Sequence, residues 1–212
     1  MKDTTKVIYE ELFVRYPALT VCNAEILTAY ETLETAYKNG KRVYFCGNGG
    51  SASDCEHIVG ELMKSFKKRR PLKASFADAL LQGEDGELLT QTLDGGLPAV
   101  SLCGHPALTS AFANDKNPTL GFAQQLSVLA SDGDVMVTLS TSGNSKNCVY
   151  AVLVAKALGV KTVFLGGGTG GKLKGLCDVS VVVPETETYK VQELHLPIYH
   201  CLCAMLEEEF FA

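Results

Sequence analysis

A chain of 212 residues with 46% hydrophobic and 20% charged side chains is long enough to bury a sizeable core and is ordinary for a globular protein. Its formal charge of −5 leaves no basic footprint for nucleic acid, and no apolar run reaches the roughly 18 residues of a membrane span. The opening Met1-Lys-Asp-Thr-Thr-Lys6 lacks a secretory apolar segment, and the eight cysteines show no Cys-x-x-Cys spacing, so the expectation is a cytoplasmic protein with buried, reduced thiols.

Residues 4–17 place Val7, Ile8, Leu12, Phe13 and Val14 at helical spacing, and residues 22–38 do the same with Ile26, Leu27, Tyr30, Leu33 and Tyr37. Pro17 falls in the break between these predicted helices, and Asn39-Gly40 closes the second. A doubly wound sheet does not need a helical pair ahead of its first strand, so residues 1–40 read as a cover or a self-association surface. Val43-Tyr-Phe-Cys46 is the first predicted strand. Gly47, Asn48, Gly49 and Gly50 follow as a turn, and Ser51 reads as the N-cap of a helix running to Phe66. The basic run Lys64, Lys67, Lys68, Arg69 and Arg70, stopped by Pro71, reads as a solvated helix end.

Residues 72–97 show weak periodicity and scattered acids. They predict a long connection containing a short helix or hairpin, the kind of segment that serves as a lid or an interface. Pro98 to Cys103 is the second strand, followed by helices over 106–113 and 119–130 with Asn114 and Asp115 between them. Asp134 to Leu139 is the third strand, and a helix over 146–158 follows its loop. Strands over 161–165 and 178–183 and a terminal helix over 189–211 complete the chain. The run Gly166 to Gly171 and Lys172 approximates a nucleotide-binding loop, but Leu173 stands where a metal-binding hydroxyl belongs, so it reads as a flexible turn. Strands alternating with helices predict an α/β fold of three layers, α-β-α, with a five-stranded parallel sheet of the flavodoxin-like kind, in a single domain over 1–212.

A strand, a glycine turn and a helix N-terminus aim several N–H groups at one spot, which makes a cradle for an anion and above all for phosphate. Ser140-Thr141-Ser142-Gly143-Asn144-Ser145 repeats that arrangement after the third strand, with four hydroxyls able to donate. Two such loops at the carboxyl edge of one parallel sheet point to a ligand there. Four residues apart, His57 and Glu61 share a helix face one to two turns above the first cradle. The terminal helix carries Gln192, Glu193, His195 and His200 within an apolar segment. Gln192 and His200 stand roughly 12 Å apart along its axis, so they meet at one point only through extended side chains or between subunits.

Together, Gly47 to Ser51, His57 with Glu61, Ser140 to Ser145 and Val191-Gln-Glu-Leu-His195 through His200 resemble the sugar isomerase (SIS) domain. More closely they resemble the phosphoheptose isomerases, which convert sedoheptulose 7-phosphate to a heptose 7-phosphate. The resemblance implies a SIS-type fold, an aldose–ketose isomerase acting through an enediol, and a homotetramer with active sites between subunits. It implies Glu61 as general base, His200 as general acid, and one zinc per subunit on His57, Glu61, Gln192 and His200. Phosphate would fall to Ser51, Ser140, Ser142 and Ser145 and sugar contacts to Asn48, Asn114 and Asp115, with Gly49, Thr141 and Gln192 also among the substrate- or phosphate-binding residues.

The chain departs from the family pattern in three places. Ser65 stands where the family has an arginine, Tyr189 where an aspartate is common, and residues 72–97 are longer than the usual connection. These changes bear on the sugar end of the site more than on the phosphate end. Two other readings remain at this stage: a non-catalytic SIS protein that binds sugar phosphates or protein partners, and an isomerase for a different phosphosugar.

Overall fold

Five parallel strands hold the most apolar segments: β1 (Val43–Gly47), β2 (Ala99–Ser101), β3 (Val135–Leu139), β4 (Lys161–Gly167) and β5 (Val179–Val183). In the computed structural model, which describes residues 1–212, they pair in the order β2-β1-β3-β4-β5. β1 and β3 are buried at every position, as a sheet covered on both faces requires. Alternate residues serve the two faces: Val43 and Phe45 join one core, and Tyr44 and Cys46 the other. The chain moves from β1 out to β2, then returns past β1 to β3. That reversal makes β1 and β3 neighbours whose following loops leave side by side, the place where such sheets bind ligands.

The larger core takes α1 (Asp3–Arg15), α2 (Asn23–Lys38), α3 (Gly50–Met63) and α10 (Thr188–Phe211). The opposite face takes α7 (Gly121–Leu129) and α8 (Lys146–Ala157), with α6 (Pro106–Asp115) against α7 and the short α9 (Gly171–Leu176) against α8. Of the opening helical pair, α2 packs on the sheet and α1 packs on α10, the two joined by a 3-10 turn over Pro17–Cys22. Gly40, at φ +68°, closes α2 as its position predicts. No helix is long and apolar enough to cross a membrane. All eight cysteines are free thiols, six of them buried.

Three expectations need correction. α3 stops at Met63, so the basic run is not a helix end. Its last member, Arg70, is wholly buried and turns back to donate to the carbonyls of Glu61 and Leu62 at 2.8 and 2.7 Å. A charged side chain is kept dry there by those carbonyls and by the Glu207 carboxylate at 2.7 Å. Second, the glycine run is not wholly a turn, because Gly166 and Gly167 end β4 and Gly171 opens the six-residue α9. Third, the long connection forms two short helices, α4 (Ala74–Leu80) and α5 (Gly86–Thr92), which pack on each other and on little else. Its ends meet, since Gly95 N–H donates to the Arg70 carbonyl at 2.7 Å.

Candidate active site

The loop after β1 builds the first cradle with a different residue at the helix start from the one expected. Gly49 is the N-cap, at φ +57°, a left-handed conformation that side chains disfavour. The helix therefore begins at Gly50, and Ser51 lies inside its first turn, buried, with no capping hydrogen bond of its own. Behind β3, the Ser140 hydroxyl donates to Ser145 at 3.1 Å, and Ser142 accepts from the N–H of Asn144 at 3.3 Å. Gly143, at φ +66°, is compulsory: a Cβ there would lie 1.9 Å from the Gly170 carbonyl oxygen. Thr141 is held through its carbonyl, which accepts from Gly167 N–H at 3.1 Å.

A reciprocal amide pair ties the two loops together. Asn48 donates to Asn147 at 3.0 Å, and Asn147 donates back at 2.8 Å. Asn147 is absent from the motifs readable in the sequence, because nothing local marks a residue whose partner lies 99 positions away. Each loop opens a helix of twelve or more residues, so two positive dipole ends face the same edge of the sheet.

α3 and α10 lie side by side and run in the same direction. Gln192 lies against Gly50, Tyr199 against Asp54 and His57, and His200 against His57. His57 Nε2 is 3.2 Å from Glu61 Oε1 and 3.5 Å from His200 Nε2. Tyr199 donates to Asp54 at 3.2 Å and lies 3.2 Å from His57 Nδ1. The Nδ1 side of the His57 ring is thus held by the phenol, and its Nε2 faces Glu61 and His200. Lys64 donates to the other oxygen of Glu61 at 3.3 Å. Burial, reinforced by His57, pulls the His200 pKa below its ordinary value, while burial pushes the Asp54 carboxyl up.

This donor set suits a divalent cation. Imidazole nitrogens and a carboxylate oxygen are zinc-type ligands. The 3.2 and 3.5 Å spacings also bracket the roughly 3.3 Å edge of a tetrahedral zinc with bonds of about 2.0–2.1 Å. Within one chain the set is incomplete, however. No three His, Cys, Asp or Glu side chains converge as a metal group, and the Gln192 amide lies at the start of α3, 2.8 Å from where a Gly50 Cβ would be. Asn114 and Asp115 form the exposed end of α6, and their one side-chain hydrogen bond, at 2.9 Å, joins them to each other. The fold of one chain therefore gathers His57, Glu61 and His200, and separately Asn48, Gly49, Ser51, Ser140, Ser142 and Ser145. It leaves Gln192 at the cradle and Asn114 and Asp115 outside. His195 lies in the core with neither ring nitrogen partnered, and burial pulls its pKa down to about 4.

Residues 18–92 and 95–167, which include both glycine- and serine-lined loops at the switch point, match the SIS domain family, so the chain belongs to that class. Within that class, the chain is a member of the phosphoheptose isomerase family, and it is an isomerase. It is 38% identical over 210 residues to the phosphoheptose isomerase of a Nitratiruptor species, covering 99% of this chain and 94% of that one. Solved phosphoheptose isomerases agree in structure. The one from Francisella tularensis superposes with a TM-score of 0.76 at 27% identity, covering 98% of this chain and all of the other. The one from Neisseria gonorrhoeae gives 0.71 at 26%, covering 97% and 92%.

Proposed function

We propose that this isomerase interconverts sedoheptulose 7-phosphate and a heptose 7-phosphate through an enediol. The observation that carries the reading is the placement of Glu61, His57 and His200 as one cluster on the two helices that flank the phosphate cradle. The cradle's N–H groups, with Ser51, Ser140, Ser142 and Ser145, anchor the phosphate, and that anchor fixes the sugar's far end against the cluster. Glu61 removes the proton from the carbon beside the carbonyl, and His200 delivers a proton to the carbonyl oxygen. The second half acts on the neighbouring atoms: Glu61 returns its proton to the former carbonyl carbon and His200 takes the proton of the adjacent hydroxyl, which leaves the aldehyde. His57, Glu61 and His200, joined by Gln192, would hold one zinc per subunit, which when bound supplies a positive charge beside the developing enediolate. Gln192 of the same chain lies at the cradle, so the fourth ligand comes from a neighbouring copy, in a cytoplasmic homotetramer. Asn114 and Asp115 reach the sugar in that assembly.

The test is Glu61→Gln. Turnover of sedoheptulose 7-phosphate is expected to vanish, while calorimetric binding of the sugar phosphate persists, because the cradle is untouched. A variant that still turns over would remove Glu61 from the chemistry.

A further inference from the structure

Arg70 and Glu207 are 0% and 1% exposed, and each guanidinium nitrogen and each carboxylate oxygen has a hydrogen-bond partner. Arg70 gives Nε to Glu207 Oε1 at 2.7 Å, Nη1 to the Leu62 carbonyl at 2.7 Å and Nη2 to the Glu61 carbonyl at 2.8 Å. Its guanidinium lies 5.0 Å over the Phe211 ring. Glu207 also accepts the backbone N–H groups of Phe66, Lys67 and Lys68 at 2.9, 2.8 and 3.2 Å. These three donors make a small anion nest that the chain fills with its own carboxylate. The first of them places Phe66, whose ring lies 5.6 Å from the His200 ring at an angle of 34°. The ion pair is therefore one hydrogen bond from the main chain of Glu61 and one ring contact from His200.

We infer that the Arg70–Glu207 pair is a positioning device for both members of the proton-transfer pair, Glu61 and His200; the inference rests on the acid–base reading of those two residues. Geometry explains why the pair takes this form. The last carbonyls of α3 have no helical partner, and only a planar fork can serve two of them and a carboxylate at once, which a lysine cannot do. Glu207 lies seven residues beyond His200 on α10, so loop 65–70 is clamped to the same helix that carries the acid. An ion pair that merely held the fold together would lower stability and leave the turnover of each folded molecule unchanged.

The experiment compares Arg70→Lys, Glu207→Gln and Phe66→Leu with the wild type and with Glu61→Gln, using sedoheptulose 7-phosphate. It also follows the imidazole signals of histidine-labelled protein. In the folded fraction, kcat is expected to fall about ten- to hundredfold in the first two variants, with KM held within about twofold. The His200 signals should shift or broaden in Glu207→Gln and in Phe66→Leu, while those of His105 stay in place. Wild-type kcat and unchanged His200 signals in these variants, alongside an inactive Glu61→Gln, would overturn the positioning role alone. An active Glu61→Gln would instead sink the acid–base reading, and the His200 signals would then decide the positioning claim by themselves. If the two ion-pair variants do not fold, Glu207→Asp, which keeps the charge pair and changes only its reach, takes their place with the same kcat and His200 readouts.

Discussion

At the scale of single residues, His195 is the clearest case of a side chain placed against its own titration. Both nitrogens are unpartnered in the core, and its folded pKa is about 4 against about 6.5 in an unfolded chain. The unfolded state therefore binds the extra proton first, so stability is complete above pH 6.5 and falls as the pH drops towards 4. At pH 5 the loss from this residue is roughly 2 kcal/mol. His195→Leu should reduce the difference in urea-unfolding free energy between pH 7 and pH 5 by about that amount. An equal pH dependence in both proteins would show that His195 does not titrate as its burial requires. The residues legible in the sequence are those with local signatures. Gly49 and Gly50 follow a strand, Glu61 is one helical turn from His57, and Ser140 to Ser145 cap a helix. Arg70, Asn147 and Tyr199 are not legible as site residues, because their roles exist only through partners 137, 99 and 145 positions away. A lone arginine in a basic run carries no mark of burial. Residue type alone puts the helix cap at Ser51, whereas the left-handed backbone of Gly49 starts the helix two residues earlier.

At the scale of elements, the expected strands and helices all form, since apolar runs and helical periodicity are read from neighbours along the chain. The connection over 72–97 is where periodicity is weakest, and there the structure shows a two-helix arm whose helices bury no side chain, Gly86 being their one buried residue. Phe76 and Leu88 are 50% and 62% exposed on it. Its stems are joined by the hydrogen bond from Gly95 to Arg70, and Asp94 accepts the N–H of Ser65 at 3.0 Å. Replacing residues 73–92 with a short glycine linker should therefore leave Tm within a few degrees of the parent, because little packing is lost and the closed loop becomes shorter. Scanning calorimetry of the excised chain is the check, and a collapse in Tm would mean that the arm supports the core.

For the whole molecule, the proposed sharing of the site between copies rests on the separation between Gln192 and the His57–Glu61–His200 cluster. If each site takes its cluster from one chain and Gln192 from the next, two inactive variants can repair one another. Gln192→Ala and His200→Ala, unfolded together and refolded as mixed oligomers, should recover roughly a quarter of wild-type activity by random pairing across a symmetric interface. Each variant refolded alone should stay inactive. No recovery in the mixture would place the whole site within one subunit. One consequence follows from the Asn48–Asn147 amide pair, which bridges the two loops side chain to side chain. Those asparagines come from the first and second halves of the chain, so a phosphate seated across both cradles acts as a staple between halves that otherwise meet there through two neutral amides. Cargo held in this way lends its own binding energy to the fold, about 2.7 kcal/mol at a hundredfold excess over Kd. The protein is thus most durable while it is at work.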